Sequence, residues 1–125
     1  MSVHRLHGAV TDSVLSEIVN SCRSLRSLEV TLCNKLSDKS IIKLAQCCPA
    51  LDTLNVKLCK KLTDKAITTV ATLCPELTAL IIAGCIKLTN AAVSKLVDCC
   101  GQLSTLDVEG CRLLDVDAIA HLTSV

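Results

Sequence analysis

Aromatic residues are absent from this sequence: none of its 125 residues is phenylalanine, tryptophan or tyrosine, although half of them are hydrophobic. We therefore expect a core of leucine, isoleucine, valine, alanine and cysteine, as in a fold that repeats a few small side chains. The absence of aromatics also removes the flat side chains on which single-stranded nucleic acids stack. Binding of RNA is therefore not expected.

An excess of charge of either sign is also missing. Thirteen Lys and Arg residues oppose twelve Asp and Glu residues, so the strong positive field of a nucleic-acid-binding protein is not expected. No apolar run reaches the roughly 18 residues that span a bilayer, and the opening residues MSVHRLHGAV contain no apolar run typical of a signal peptide. We expect no nucleic acid and no membrane as partner, and a cytoplasmic or nuclear location in which thiols stay reduced.

A 26-residue repeat accounts for most of the sequence. Similar phrases open, without insertions, at Val10, Leu36, Leu62, Leu88 and Leu114. Each unit contains an L-x-x-L-x-V pattern, such as Leu25, Leu28 and Val30, which ends in the period-two alternation of a short, half-buried strand. The pattern recurs from Leu51, Leu77 and Leu103.

A helix of about three turns is predicted after each strand. The candidate N-cap residues are Ser37, Thr63, Thr89 and Asp115. Asp38 and Asp64 follow in the first turn, where the helix dipole favours an acid. Apolar residues then recur at helical spacing, as at Ile41, Leu44, Ala45 and Cys48. The helices are expected to end at Pro49, Pro75 and Gly101.

Such a unit cannot bury its apolar stripe alone, but stacking aligns the strands into a parallel sheet and the helices into a second layer. Because helices are wider than strands, we expect the stack to bend. The predicted fold is an α/β solenoid, a horseshoe with the sheet on its concave face and the helices on its convex face. Residues 1–125 are expected to form one array of about five units, partial at both ends. Because neither end has a polar cap, we expect a segment of a longer protein, or neighbouring subunits that cover the open ends.

Eight of the ten cysteines fall into two rows of equivalent repeat positions. The row that follows the strands consists of Cys33, Cys59, Cys85 and Cys111. The row at the ends of the helices consists of Cys22, Cys48, Cys74 and Cys100. We interpret both rows as small buried side chains whose thiols can bond to backbone. Structural zinc is disfavoured because no C-x2-C pair occurs. Disulfides are disfavoured by the parallel Cβ directions within a row and by the reducing compartment.

The residues available do not predict catalysis. A nucleophilic cysteine needs a base and an orienting group close by, but His4, His7 and His121 lie at the ends of the sequence while the cysteines run through its interior. We interpret the H-x2-H pair of His4 and His7 as surface histidines rather than metal ligands. No glycine-rich phosphate loop occurs among the four glycines. We therefore expect no enzyme activity, no cofactor and no metal.

The stretch CPALDTLNVKLCKKLTDKAITTVATLCPELTALIIAGCIKLTNAAVSKLV resembles the cysteine-containing subfamily of leucine-rich repeats, whose unit reads C-x-x-L-x-x-L-x-L-x-x-C-x-x-L-T-D-x-x-[IL]-x-x-[LI]-A. The match covers residues 10–125. These repeats are similar to those of F-box proteins, the substrate receptors of cullin-type ubiquitin ligases, and of the related yeast antagonist of mitotic exit. The resemblance implies a protein-binding horseshoe with partners on the concave face, although no F-box precedes the repeats here.

Side chains that alternate with the buried strand residues are expected to face solvent on the concave sheet. Among them Ile81 is apolar, and charged side chains lie to either side, a pattern typical of a binding hot spot. A single exposed isoleucine also occurs without a function, or beneath a covering segment. The predicted partner-binding residues are Glu29, Thr31, Asn55, Lys57, Ile81, Ala83, Asp107 and Glu109.

Five cations recur in the turns after the strands: Lys35, Lys60, Lys61, Lys87 and Arg112. Repetition alone produces such a row in solvated turns, and an anionic partner is the alternative. The sequence thus predicts a noncatalytic protein-interaction scaffold, with substrate recognition in a ubiquitin-ligase setting as the leading role. The alternative is a structural subunit of a large cytoskeletal, flagellar or organelle assembly, because the same repeat subfamily occurs there.

Overall fold

The computed structural model describes residues 3–7 and 10–115, with side chains from residue 10 onward. In this part of the chain strands and helices alternate, in the order β1 (Val3–His7), α1 (Asp12–Ser21), β2 (Ser27–Thr31), α2 (Asp38–Cys47), β3 (Thr53–Asn55), α3 (Asp64–Leu73), β4 (Ala79–Ile81), α4 (Asn90–Cys99) and β5 (Thr105–Asp107). The strands form one parallel sheet in the order β1-β2-β3-β4-β5. The predicted strand–helix repeat is confirmed. The helix predicted after Asp115, with His121, lies outside the described residues.

Equivalent leucines form a line through the sheet. Leu28 pairs with Leu54, which pairs with Leu80 in the next strand. All three are fully buried, because the alternation of strand side chains turns them towards the helices. The apolar positions predicted for these strands are therefore confirmed.

β1 was not predicted. In this strand His4 lies opposite Leu28, an offset of 24 residues in place of 26. The segment VHRLH also lacks the L-x-x-L-x-V pattern of the later strands. The two histidines interpreted as surface residues therefore belong to a strand of the sheet.

Helices α2 to α4 begin where the sequence predicts, after the N-cap residues Ser37, Thr63 and Thr89. The N-cap residue of α1 is Thr11, which was not among the predicted ones. The hydroxyls of Thr63 and Thr89 accept hydrogen bonds from backbone N–H groups in the first turns of α3 and α4. Each helix has ten residues, and among the described residues none is long and apolar enough to cross a membrane.

One hydrophobic core lies between the sheet and the helices. From α2 it receives Ile41, Leu44 and Ala45, and α3 contributes the equivalent side chains. Seven cysteines are buried as well. Stacked aliphatic and thiol side chains thus fill the space that aromatic residues occupy in other domains.

The turn after each of strands β2 to β5 passes through left-handed backbone conformation. The four equivalent residues are Leu32 (φ 58°), Leu58 (φ 62°), Gly84 (φ 73°) and Gly110 (φ 78°). Glycine adopts this conformation without cost, whereas a leucine there is strained. A Cβ atom on Gly84 would collide with the Leu58 side chain. Leu58 therefore packs over the glycine of the next repeat.

Candidate functional site

The face of the sheet turned away from the helices carries the residues predicted to bind a partner. We call it the open sheet face and define it by Ser27, Glu29, Thr31, Thr53, Asn55, Lys57, Ala79, Ile81, Ala83, Thr105, Asp107 and Glu109. The strand register brings four of the predicted residues into one row. Glu29 lies opposite Asn55, which lies opposite Ile81. Ile81 in turn lies opposite Asp107.

Seven of the eight predicted residues present surface to solvent. Two of them, Lys57 and Glu109, are exposed. The other five are half-buried: Glu29, Thr31, Asn55, Ile81 and Asp107. The open sheet face therefore offers charged groups at one end of the strands and a mixed apolar and polar row along their middle.

The expectation that Ala83 faces solvent is wrong, because this residue is only 5% exposed. Strand alternation still holds at the equivalent positions of the adjoining repeats, where Lys57 and Glu109 are exposed. Ala83 differs from them by its methyl group, the shortest side chain in this row. A short side chain between two longer ones leaves little surface for a partner.

Polar side chains with fixed positions border Ile81 on both sides. The side-chain oxygen of Asn55 accepts a hydrogen bond from the Lys57 N–H at 3.0 Å. The Asp107 carboxylate accepts one from the Glu109 N–H at 3.1 Å. Such bonds to the backbone two residues on hold Asn and Asp side chains against their own turns. A partner would therefore meet an apolar side chain between two pre-ordered polar ones.

The cysteine row after the strands consists of hydrogen-bond donors. The Cys59 thiol donates to the Val30 carbonyl at 3.0 Å, and the Cys85 thiol donates to the Val56 carbonyl at 3.1 Å. Each bond reaches back to the preceding repeat. Burial raises the pKa of Cys59 to about 11 and that of Cys85 to about 12. These thiols stay protonated at neutral pH, and their interpretation as structural residues is confirmed.

The second row makes longer contacts of the same kind at the helix ends. The Cys74 thiol lies 3.7 Å from the Cys48 carbonyl oxygen, and burial raises the pKa of Cys74 to about 12. All ten cysteines lie within residues 10–115, and no disulfide joins any of them. In the same part of the chain no three His, Cys, Asp or Glu side chains come together in a way that could hold a metal ion.

A ladder of carboxylates joins the starts of successive helices, and the sequence analysis missed it. The linked pairs are Asp12 with Ser37, Asp38 with Thr63, and Asp64 with Thr89. In the middle pair Asp38 accepts the Thr63 N–H at 2.8 Å and the Thr63 hydroxyl with its other oxygen. The recurrence of an acid 25 residues before the next N-cap residue was the available signal. Each acid therefore ties its own repeat to the following one.

Asp12 is the most strongly engaged acid of this ladder. Its burial acts to raise its pKa, but hydrogen bonds from the Ser40 hydroxyl and from the N–H and hydroxyl of Ser37 outweigh burial and lower the pKa below the ordinary 3.8. Each of these bonds favours the ionised carboxylate. Asp12 therefore contributes to stability as an anion.

The five turn cations lie along the edge of the sheet where the strands end. Lys35, Lys60, Lys61, Lys87 and Arg112 are all exposed. Within residues 10–115 none of them forms an ion pair. The ion pair in this part of the chain joins Arg26 to Asp52 at 3.0 Å, at the opposite edge where the strands begin.

Neither a protein-family model nor a curated protein matches this chain. Among solved structures it is similar to a chain of the crystal structure of the yeast Rad7 and Elc1 complex, with a TM-score of 0.65 and 21% sequence identity over 90% of its length. It spans 36% of the length of that chain. The similarity supports a leucine-rich-repeat-like fold.

Proposed function

We propose that this chain is a noncatalytic protein-interaction scaffold that binds a protein partner on its open sheet face, with the sheet forming the concave side of a leucine-rich-repeat horseshoe. The observation that carries this proposal is the row of Asn55, Ile81 and Asp107, in which an apolar side chain stands between two fixed polar ones. The exposed Lys57 and Glu109 lie at its rim. An apolar centre with a charged rim is the arrangement found at binding hot spots.

The cysteines support a noncatalytic role. A nucleophilic cysteine needs a lowered pKa, whereas burial raises the pKa values of Cys59, Cys74 and Cys85. The Cys59 and Cys85 thiols donate hydrogen bonds to carbonyls of the preceding repeat, which requires their reduced form. A reducing compartment, the cytoplasm or the nucleus, suits this chemistry.

Substrate recognition in a ubiquitin-ligase setting is the role that we propose for the scaffold. Its support is the resemblance of the cysteine-containing repeats to those of F-box proteins. That a similar solved structure is a complex of Rad7 with Elc1 agrees with a protein partner.

Charge placed at the centre of the open sheet face tests this function. We expect Ile81→Glu to weaken binding to the partner purified from native cells by about 2 kcal/mol or more, roughly 30-fold in Kd. Ile81 is only half-buried, so the urea midpoint should stay close to that of the wild type. Binding is measured by titration with the purified partner.

Lys95→Glu is the matched control, because Lys95 is exposed on α4 and lies away from the sheet. It should bind the partner as the wild type does. If Lys95→Glu loses the partner and Ile81→Glu retains it, binding runs through the helices. The proposal would then be wrong, and an assembly subunit would replace it.

A further inference from the structure

The edge of the array where strands end and helices begin concentrates unpaired positive charge. Lys35, Lys61 and Lys87 occupy the same position in three successive repeats. Adjacent parallel strands lie about 4.8 Å apart, so these like charges stack at close spacing and repel one another. Lys60 and Arg112 extend the same row. The fold thus holds five exposed cations together although the whole chain has a net charge of only +1.

Within residues 10–115 no acid forms an ion pair with a cation of this row. Asp38 and Asp64 follow the turns along the chain, and their carboxylates are directed to the N–H and hydroxyl groups of Thr63 and Thr89 rather than to the turn cations. The two turn positions that hold the cations contain no acid in any of the four repeats. An external anion is therefore the group that would relieve the repulsion.

Apolar side chains are interleaved with these cations. Leu32 is 51% exposed and Leu113 is 59% exposed, and both lie in the same turns. Ile86, between them, is half-buried. Aliphatic surface next to stacked cations suits a ligand that carries both carboxylates and apolar side chains.

Leu32 adds an independent observation. Its φ of 58° lies in the left-handed region, where the equivalent positions of two later repeats have Gly84 and Gly110. Leu58 shares the strain but packs over Gly84, whereas half of Leu32 remains in solvent. A strained residue that gains little burial indicates that its side chain serves another contact.

We infer that this edge, which we call the turn ridge, binds an extended acidic segment of a partner protein that runs across the repeats. Its carboxylates meet the cations of the ridge, and its apolar side chains pack on Leu32 and Ile86. From the second to the fifth strand the ridge spans about 15 Å, the length of roughly four to five extended residues. A nucleic acid is disfavoured because the ridge has no aromatic side chain for stacking. The ridge shares no residue with the open sheet face, which it adjoins at Thr31 and Lys57.

A random peptide display library tests the inference. The library is selected on the wild-type protein and counter-selected on the triple variant Lys60→Glu, Lys61→Glu and Lys87→Glu. We expect selected peptides to be rich in Asp and Glu with interspersed Leu or Ile. A fluorescent synthetic peptide with the selected sequence should bind the triple variant at least about tenfold more weakly by anisotropy. Its binding to the wild type should weaken as salt is raised, because exposed charges are screened.

Two further variants separate the components of the ridge. Leu32→Asn removes the apolar side chain and places there a residue that tolerates left-handed backbone, so it should weaken peptide binding without lowering the urea midpoint. Lys95→Glu on α4, a single charge reversal away from the ridge, is the control and should bind the peptide normally. Selected peptides without acidic enrichment, or peptides that bind the triple variant equally well, would overturn the inference. Displacement by inorganic polyphosphate, with no effect of Leu32→Asn, would show a general polyanion surface and would overturn it as well.

Discussion

Replacing Asp38 by alanine should lower the free energy of unfolding by about 3 kcal/mol. The Asp38 carboxylate accepts two hydrogen bonds from Thr63 in the next repeat, one from its N–H at 2.8 Å and one from its hydroxyl. A hydrogen bond to a charged group contributes about 1.5 to 3 kcal/mol. Asp38 is half-buried, so we take the lower value for each of the two bonds.

The conservative variant Asp38→Asn should cost less, about 1 kcal/mol. An amide oxygen can still accept the backbone N–H, as Asn90 does at the equivalent position, where it accepts the Asp115 N–H at 2.9 Å. Urea unfolding followed by circular dichroism measures both variants, provided that the slope of the transition does not change.

A double-mutant cycle with Thr63→Ala separates the ladder from the helix dipole. Either acid substitution also removes a first-turn charge, which accounts for about 0.3 to 1 kcal/mol. The cycle isolates the bond between the Asp38 carboxylate and the Thr63 hydroxyl, and we expect a coupling energy of about 1 kcal/mol or more. Additive costs, together with a loss of less than about 1 kcal/mol for Asp38→Ala, would refute the role of the ladder.

Three further predictions concern the core, the thiols and acid stability. Leu54→Ala removes a fully buried side chain and should lower the free energy of unfolding by about 2 to 5 kcal/mol. Lys65 is exposed, so Lys65→Ala should change that free energy by less than about 0.5 kcal/mol. Equal losses for the two variants would contradict the assignment of buried and exposed residues. Iodoacetamide should modify the three half-buried cysteines of the native protein first and all ten after unfolding without reductant, and a mass short of ten adducts would contradict reduced thiols. Because the pKa of Asp12 is lowered in the folded state, its contribution is present above about pH 4 and is lost as pH falls through the folded pKa. Asp12→Asn should therefore lose less stability than the wild type on acidification, and identical pH profiles would contradict this role.

Most of the fold could be predicted because one short unit repeats. The period of 26 residues, the N-cap residues such as Thr63 and Thr89, and the buried positions such as Leu54 and Leu80 all follow from local patterns. β1 could not be predicted in this way, since its offset of 24 residues and its histidines break the repeat on which the other predictions depend.

The surface was harder to predict than the core. Alternation placed Ile81 correctly opposite Asn55 and Asp107, but it takes no account of side-chain length, and the short Ala83 is buried although the equivalent Lys57 and Glu109 are exposed. The carboxylate ladder depends on how close successive helix starts lie, which a sequence pattern does not contain. The left-handed turns did have a signal, because glycine replaces Leu32 at the equivalent positions of two later repeats.

Isoleucine methyl NMR tests the central claim, that a partner binds the open sheet face, without any substitution. Ile81 reports on the open sheet face, Ile86 on the turn ridge, and Ile42 on the half-buried outer surface of α2. On addition of the purified native partner, we predict that the Ile81 δ1-methyl signal shifts or broadens while the Ile42 signal stays in place. An unchanged Ile81 signal with a shifted Ile42 signal, at saturating partner, would contradict binding through the sheet.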